Sequence, residues 1–211
     1  TLKEAAPCLR LARGGRNAGT PLAGLSYLMG NKRGFDADVI LGGGGLVGQT
    51  LALALEQAGL SVIVIDASKP AETLAPAFDG RAFAIAFASY RMWRALGLGA
   101  ALDEVAQPIE QIMVTDGRLP GRARSGGPSL LHLHFDRAEL KDHDEPLGLM
   151  LEARHVRLAL DRGVKAAKSI RMIQPQSVTA IERDPAGVTV TLANGESLRA
   201  PLLVGADGRR S

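Results

Sequence analysis

The sequence has very little cysteine, few aromatic residues and no long apolar run. Cys8 is the single cysteine among 211 residues, so no disulfide can form within one chain and a reducing compartment is the default expectation. Aromatic residues make up 4% of the chain. No apolar run reaches the roughly 18 residues that a membrane-spanning helix requires. The sequence also has no obvious Ser/His/Asp triad and no metal-site spacing.

Positive charge is concentrated at the start of the chain. The formal net charge is +3, and residues 1–34 hold six Lys or Arg against a single Glu. This charge therefore gives little reason to expect nucleic-acid binding by the rest of the protein. Glycine and proline interrupt the leader, so we expect it to be mostly disordered or loosely docked. An organelle transit peptide and a non-native extension both remain open as its origin.

Residues 38–66, DVILGGGGLVGQTLALALEQAGLSVIVID, have the element order of a βαβ unit. An apolar strand at 39–41 leads into a glycine-rich turn, a helix is predicted over 46–58, and a second apolar strand covers 62–65. The helix is apolar on nearly every face. We therefore expect it to lie buried between a sheet and a further layer.

Gly43, Gly45 and Gly48 have the G-x-G-x-x-G spacing of dinucleotide-binding folds. In such folds the first glycine allows a tight turn, the second lets the backbone approach a pyrophosphate, and the third lets the helix pack closely on the sheet. The N–H groups of the helix start then face the phosphates. Because the strand, glycines and helix occur in the required order, we favour a nucleotide site over a merely flexible loop.

Asp66 ends the second strand, eighteen residues after Gly48. A carboxylate at this position can accept hydrogen bonds from both hydroxyls of an adenosine ribose, and it would repel a 2′-phosphate. Asp66 therefore favours FAD or NAD over NADP at this site.

The rest of the chain first alternates helices and strands and then becomes a β-meander. Asp-Pro-Ala-Gly and Asn-Gly supply the two turns of the meander. Two of the earlier strands can pair as a hairpin. The predicted elements are helices over 81–98 and 152–162, strands over 109–115 and 130–135, the meander over 177–200, and a buried strand over 202–204.

A second loop of glycine and acid follows the last predicted strand. The sequence GADG places Asp207 and Gly208 at the carboxyl end of that strand, where open α/β sheets bind ligands. Asp-Gly by itself is first of all a turn dipeptide. Its significance comes from its combination with the βαβ unit upstream.

This combination resembles the single-component flavoprotein aromatic hydroxylases with the p-hydroxybenzoate hydroxylase fold, and most of all the ubiquinone-biosynthesis hydroxylases. The resemblance covers about residues 36–211 and rests on the stretches DVILGGGGLVG, VIVIDAS, FDGRAFAIAFAS, EPLGLMLEARHVRLAL and APLLVGADGRRS. It implies an α/β fold, with a Rossmann-like FAD-binding βαβ sheet, an inserted β-meander and part of a substrate-domain sheet. Gly42 departs from the family, which usually has a branched apolar residue there.

The resemblance also implies which residues contact the cofactor. Arg81 falls on an arginine that reaches the FAD phosphates, Arg154 on a polar or basic contact, and Asp207 on a motif associated with both FAD and NAD(P)H. The expected cofactor-binding residues are Gly43, Gly45, Gly48, Asp66, Arg81, Arg154, Asp207 and Gly208. No catalytic acid or base can be named. His132 and His134 could suggest a metal pair, but a polar strand face is favoured and no metal site is expected.

The function implied is that of an FAD-dependent monooxygenase that uses NAD(P)H and oxygen to hydroxylate a polyprenylated phenol in ubiquinone biosynthesis. Members of this family are longer, so we expect the chain to be the N-terminal part of a truncated flavoprotein monooxygenase fold. The expected segments are a leader over 1–34, the FAD-binding domain over 35–106 and 151–211, and part of the substrate domain over 107–150.

The expected partner is a lipophilic phenolic substrate, and no nucleic acid is expected. The expected location is the cytoplasm, with contact to a membrane surface or to a ubiquinone-biosynthesis complex left open. Two other interpretations also remain. An NAD-dependent dehydrogenase with a Rossmann domain is opposed by the meander and the second glycine-acid loop, and the other alternative is a non-catalytic nucleotide-binding module.

Overall fold

A parallel sheet with helices on one face and an antiparallel meander on the other organises this computed structural model. The structure describes residues 34–70, 80–115, 132–140 and 145–208. The predicted leader lies, apart from Gly34, outside these residues. The described strands are β1 (Val39–Gly42), β2 (Val62–Ile65), β3 (Ala82–Ala86), β4 (Gln107–Ile109), β5 (Gln111–Thr115), β6 (His132–Asp136), β7 (Gly148–Glu152), β8 (Ile170–Ile173), β9 (Val178–Asp184), β10 (Gly187–Leu192), β11 (Ser197–Ala200) and β12 (Leu202–Gly205). The described helices are α1 (Leu46–Gln57), α2 (Phe87–Ala95), α3 (Gly99–Leu102) and α4 (Ala153–Ala166).

The parallel sheet has the strand order β12–β1–β2–β8. β1 lies between β2 and β12, so Gly42 at its carboxyl end pairs with Ile65 on one side and with Gly205 on the other. The chain leaves β1 through α1 to reach β2, and it returns much later to β12 on the opposite side. The strand order therefore reverses between β1 and β12.

Both faces of β1 are buried, which explains its continuous apolar sequence. Val39 and Leu41 pack with the α1 side of the sheet, whereas Ile40 packs against the meander β9–β10–β11. Each of these three side chains is 2% exposed or less, and full burial of such a side chain contributes roughly 1.5–3 kcal/mol. The sheet position is thus fixed from both sides.

A third apolar cluster lies on the far side of α1. It joins α1 and α4 to α2, α3 and β7, and Gly163 of α4 lies against Leu53 of α1. A Cβ at Gly163 would be 3.2 Å from Leu53 Cδ1, so the glycine lets the two helices approach closely. The predicted position of the first helix between a sheet and a further layer is confirmed, but its burial is incomplete, since Val47 is 71% exposed.

The predicted α/β fold is confirmed, but the prediction of one helix over 81–98 is wrong at both ends, because α2 covers only Phe87–Ala95. Ala82–Ala86 forms β3, which pairs antiparallel with β7, and the helix begins only at Phe87. The segment AFAIA has no strong local preference, so pairing with β7 decides its structure. Ile170–Ile173, the fourth strand of the parallel sheet, was not predicted because Arg171 interrupts its short apolar pattern.

The meander, β12 and the hairpin of β5 and β6 agree with the predicted strands. The strand predicted over 109–115 is nevertheless interrupted at Glu110, because Ile109 belongs to β4, which pairs with β7. Residues 130 and 131 of the other predicted strand lie outside the described residues. The helix predicted over 152–162 begins one residue later and continues to Ala166. The boundaries between an FAD-binding part and a substrate part stay a prediction.

Tyr90 of α2 belongs to the third apolar cluster, and its phenol is buried there. Its ring is 3% exposed, and its hydroxyl donates a hydrogen bond to Asp103 Oδ1. Burial first, and then this bond and the charge of Asp103, raise the pKa of Tyr90 above its ordinary value of 10.0. Tyr90 therefore keeps its proton in the folded state at a pH where an unfolded tyrosine ionises.

This pKa difference makes stability sensitive to alkaline pH. Below about pH 10 both states hold the proton, whereas above it only the unfolded state loses it, so the free energy of unfolding falls by about 1.4 kcal/mol per pH unit. We expect Tyr90→Phe to remove this component. Urea unfolding between pH 9 and 11.5 measures it, and equal slopes for the two proteins would contradict the prediction.

Candidate functional site

The glycine-rich turn at Gly42–Gly45, called the glycine turn below, brings three backbone segments into close contact. Gly43 has a φ of +115°, and a Cβ there would lie 2.3 Å from the carbonyl oxygen of Ala206. A Cβ at Gly48 would lie 1.9 Å from the carbonyl oxygen of Gly43. Neither position can hold a larger residue without moving backbone. The turn, the first turn of α1 and the loop after β12 are therefore in direct contact.

Gly45 is different because it faces open space. It precedes α1 as the N-cap residue, has no side-chain cap, and has no atom within 4 Å of a built Cβ. A helix start in this form presents backbone N–H donors and the positive end of the helix dipole. Gly43 and Gly48 thus permit close packing, and Gly45 leaves a surface open to an anion, while its contact with a pyrophosphate stays a prediction.

Asp66 holds this turn from the end of β2. Its carboxylate accepts hydrogen bonds from the N–H of Gly44 (2.5 Å) and from the N–H of Ser68 (2.7 Å). A Cβ at Gly44 would lie 2.9 Å from the Cβ of Asp66. Gly44 was not among the predicted site residues, although the run of four glycines was a signal for it. The side chain of Asp66 is half-buried beside the turn.

Asp207 and Gly208 lie next to the glycine turn. The N–H of Ala206 donates to the carbonyl oxygen of Gly42 (2.6 Å), which continues the β1–β12 pairing into the loop. Asp207 is exposed, and Gly208 has a φ of +85°. Residues far apart in the sequence therefore meet where the strand order reverses, the position at which open α/β sheets bind ligands.

Arg81 and Arg154 are also brought together. The N–H of Ala153 donates to the carbonyl oxygen of Arg81 (2.9 Å), so Arg81 lies beside the first residues of α4. α4 leads into β8, which runs parallel to β2, and therefore α4 starts on the carboxyl side of the sheet. Both arginines therefore lie on the carboxyl side of the parallel sheet, as does the glycine turn, while their contact with phosphate stays a prediction.

Arg154 has an acidic neighbour that the sequence pattern does not indicate. Glu152 Oε2 lies 2.6 Å from Arg154 Nε and 3.7 Å from His155 Nε2. Glu152 ends β7, and the turn into α4 brings its carboxylate back to the helix start. Nothing in the linear pattern distinguished it from a surface carboxylate.

The histidines of the hairpin show no sign of a metal centre. His132 and His134 are exposed on β6. In the parts of the chain that the structure describes, no three His, Cys, Asp or Glu side chains gather closely enough to hold a metal ion.

The fold and site define a nucleotide-binding α/β domain. An FAD pyrophosphate fits the residues present, because Gly45 leaves its approach open, the start of α1 supplies donors, and Asp66 can accept from ribose hydroxyls. Residues 36–211 match the FAD binding domain family, and the chain belongs to that family. The expected cofactor, FAD, is thereby confirmed.

Individual relatives agree with this assignment. Ubiquinone hydroxylase UbiL of Rhodospirillum rubrum is 43% identical over 175 residues, covering 83% of this chain and 38% of the relative. 3-Demethoxyubiquinol 3-hydroxylase of Escherichia coli is 32% identical, covering 82% of this chain and 42% of the relative. The crystal structure of p-nitrophenol 4-monooxygenase PnpA from Pseudomonas putida matches with a TM-score of 0.64 and 26% identity, covering 82% of this chain and 41% of that one.

These matches confirm the resemblance to ubiquinone-biosynthesis hydroxylases. The chain spans about two fifths of the length of the curated relatives it matches. Within the described parts of the chain, none of the helices has the length and hydropathy needed to cross a bilayer.

Two alanine substitutions separate packing from ligand approach. Gly48→Ala forces its Cβ against the Gly43 carbonyl, so we expect a loss of about 1–3 kcal/mol in the free energy of unfolding. Gly45→Ala has room and an allowed φ of −73°, so stability should change by about 1 kcal/mol or less. FAD affinity should nevertheless fall at least about tenfold, because the added Cβ faces the approaching phosphate. Thermal melts measure the stability of both variants, and flavin-fluorescence titrations measure their FAD affinity. An unchanged FAD affinity in Gly45→Ala would refute the assignment of the surface at Gly45 to the phosphate.

Asp66→Asn tests the ribose contact. An amide cannot accept both N–H groups and the ribose hydroxyls as a carboxylate does, so we expect FAD affinity to fall about tenfold or more. Asp184→Asn is the matched control, because Asp184 also accepts two backbone N–H groups, from Ala186 and Gly187, but in the meander. Equal FAD affinities for the two variants would rule out a specific role for Asp66.

Proposed function

We propose that the protein containing this chain is an FAD-dependent monooxygenase that hydroxylates a polyprenylated phenol in ubiquinone biosynthesis. The observation that carries the proposal is the meeting of the glycine turn with the Asp207 loop, where Ala206 contacts both Gly42 and Gly43. An ordinary NAD-dependent Rossmann domain offers no reason for a second glycine-acid loop reached through a meander. The names of two relatives, a ubiquinone hydroxylase and a 3-demethoxyubiquinol 3-hydroxylase, support the same choice.

In this proposal the protein residues bind and orient the cofactor. The start of α1 holds the pyrophosphate, Asp66 accepts from the ribose hydroxyls, and Asp207 lies near the pyrophosphate or ribityl chain. Arg81 and Arg154 offset phosphate charge through charge-assisted hydrogen bonds. When bound, FAD supplies the redox chemistry by which NAD(P)H and oxygen yield a hydroxylated phenol and water.

An apolar face on the β5–β6 hairpin supports a lipophilic substrate. Ile112 pairs with Phe135 and Val114 with Leu133, and residues that pair directly across two strands share a face. These four side chains are 40–63% exposed. A surface of this composition suits a prenylated ring better than a charged metabolite. We place the protein in the cytoplasm, in peripheral contact with the membrane that holds such a substrate.

The test uses a protein that carries this chain together with the remaining length of its relatives. We expect the purified protein to show the visible absorbance of oxidised flavin and to oxidise NAD(P)H faster when a prenylated phenol is added, with a hydroxylated product detected by mass spectrometry. A colourless protein that binds NAD would favour the dehydrogenase interpretation. A flavoprotein whose NAD(P)H oxidation ignores every phenol would leave FAD binding intact but refute the proposed substrate.

A further inference from the structure

Gln49, in the first turn of α1, reaches back to the glycine turn. Its Nε2 donates a hydrogen bond to the carbonyl oxygen of Gly44 at 2.7 Å. The N–H of Gly44 donates in turn to Asp66 Oδ2 at 2.5 Å. Gly44 is therefore held at its N–H by Asp66 and at its carbonyl by Gln49.

The hydrogen bond from Gln49 fixes the direction of the next N–H group. The Gly44 carbonyl and the Gly45 N–H belong to one peptide unit, and in a trans peptide these two groups point in opposite directions. When the carbonyl points toward Gln49, the Gly45 N–H points away from it. Gly45 is exposed, and an added Cβ there would have no atom within 4 Å, so the backbone around this N–H is open to an approaching phosphate.

The side-chain amide of Gln49 leaves one of its polar atoms buried without a hydrogen bond, which lowers stability. Turning the amide over would set Oε1 against the Gly44 carbonyl, so the hydrogen bond fixes its orientation. Oε1 is then buried and has no hydrogen-bond donor among the described residues. A buried acceptor without a donor reduces stability, and an apolar side chain of the same length would avoid this loss. The α1 helix itself does not need a hydrogen-bond donor at position 49, whereas the Gly44 carbonyl of the glycine turn accepts one.

We propose that Gln49 is a positioning residue for the cofactor: it orients the Gly44–Gly45 peptide so that the Gly45 N–H can donate to the FAD pyrophosphate. The inference rests on the proposed binding of FAD. Neither the dinucleotide-binding spacing nor the resemblance assigned a role to this residue. The sequence signal is a polar side chain in the first turn of a helix that is otherwise largely apolar up to Leu55.

The test compares Gln49→Met with Gln57→Met in the full-length protein. Gln57 lies on the same helix and also donates through Nε2 to a backbone carbonyl, that of Ala95 at 3.1 Å, but at the other end of α1. We expect Gln49→Met to raise the FAD dissociation constant about tenfold and Gln57→Met to leave it unchanged. Gln49→Glu, which replaces the donor by an acceptor, should weaken binding at least as much.

A second readout does not need the cofactor. In ¹⁵N-labelled protein without FAD, Gln49→Met should shift the amide resonances of Gly44 and Gly45, and Gln57→Met should not. Melting temperatures show whether both variants stay folded.

The outcomes separate this inference from the proposed function. If the parent protein binds FAD and Gln49→Met binds it equally well, or if Gln57→Met weakens binding to the same extent, the positioning role is wrong and the proposed function stands. If the parent protein binds no FAD, the proposed function fails and the positioning of a phosphate-binding N–H fails with it.

Discussion

The close approach of Gly48 to the Gly43 carbonyl is the constraint on which the rest of the site depends. It lets α1 begin directly beneath the turn that leaves β1, and the same turn leaves room for Ala206 on its other side. A Cβ at Gly43 or Gly48 would separate α1, β1 and β12 at the edge where they meet. This backbone contact, rather than any side chain, decides that the helix start points at the place where the strand order reverses.

Much of the local structure could be predicted, because the determining information was local. The βαβ unit has apolar runs of the right length and glycines at fixed spacing, and the meander has turns with defined chemistry. β3 and β8 lack such information: AFAIA suits either a helix or a strand, and Arg171 breaks a four-residue apolar run. Their conformation comes from pairing with β7 and β2, partners that lie far away in the sequence.

The candidate site shows the same division. Gly43, Gly45, Gly48 and Asp66 follow from a spacing with a known mechanism, and the structure gives each of them a distinct surrounding. Gln49 and Glu152 could not be found in this way, because their roles depend on which atom faces which. One side chain turns back toward a carbonyl, and the other toward a guanidinium, and neither direction is encoded in a spacing.

The glycine turn and the β5–β6 hairpin differ in burial, and the difference matches the proposed function of each. The turn that would hold the cofactor is fixed by backbone packing and by strands buried on both faces, so it can be preorganised before a ligand binds. The β5–β6 hairpin has an exposed apolar face and takes no part in the apolar clusters around the parallel sheet. Substitutions on that face should therefore lose little folding free energy in this part of the protein, whereas a side chain added at Gly43 or Gly48 would disrupt the turn.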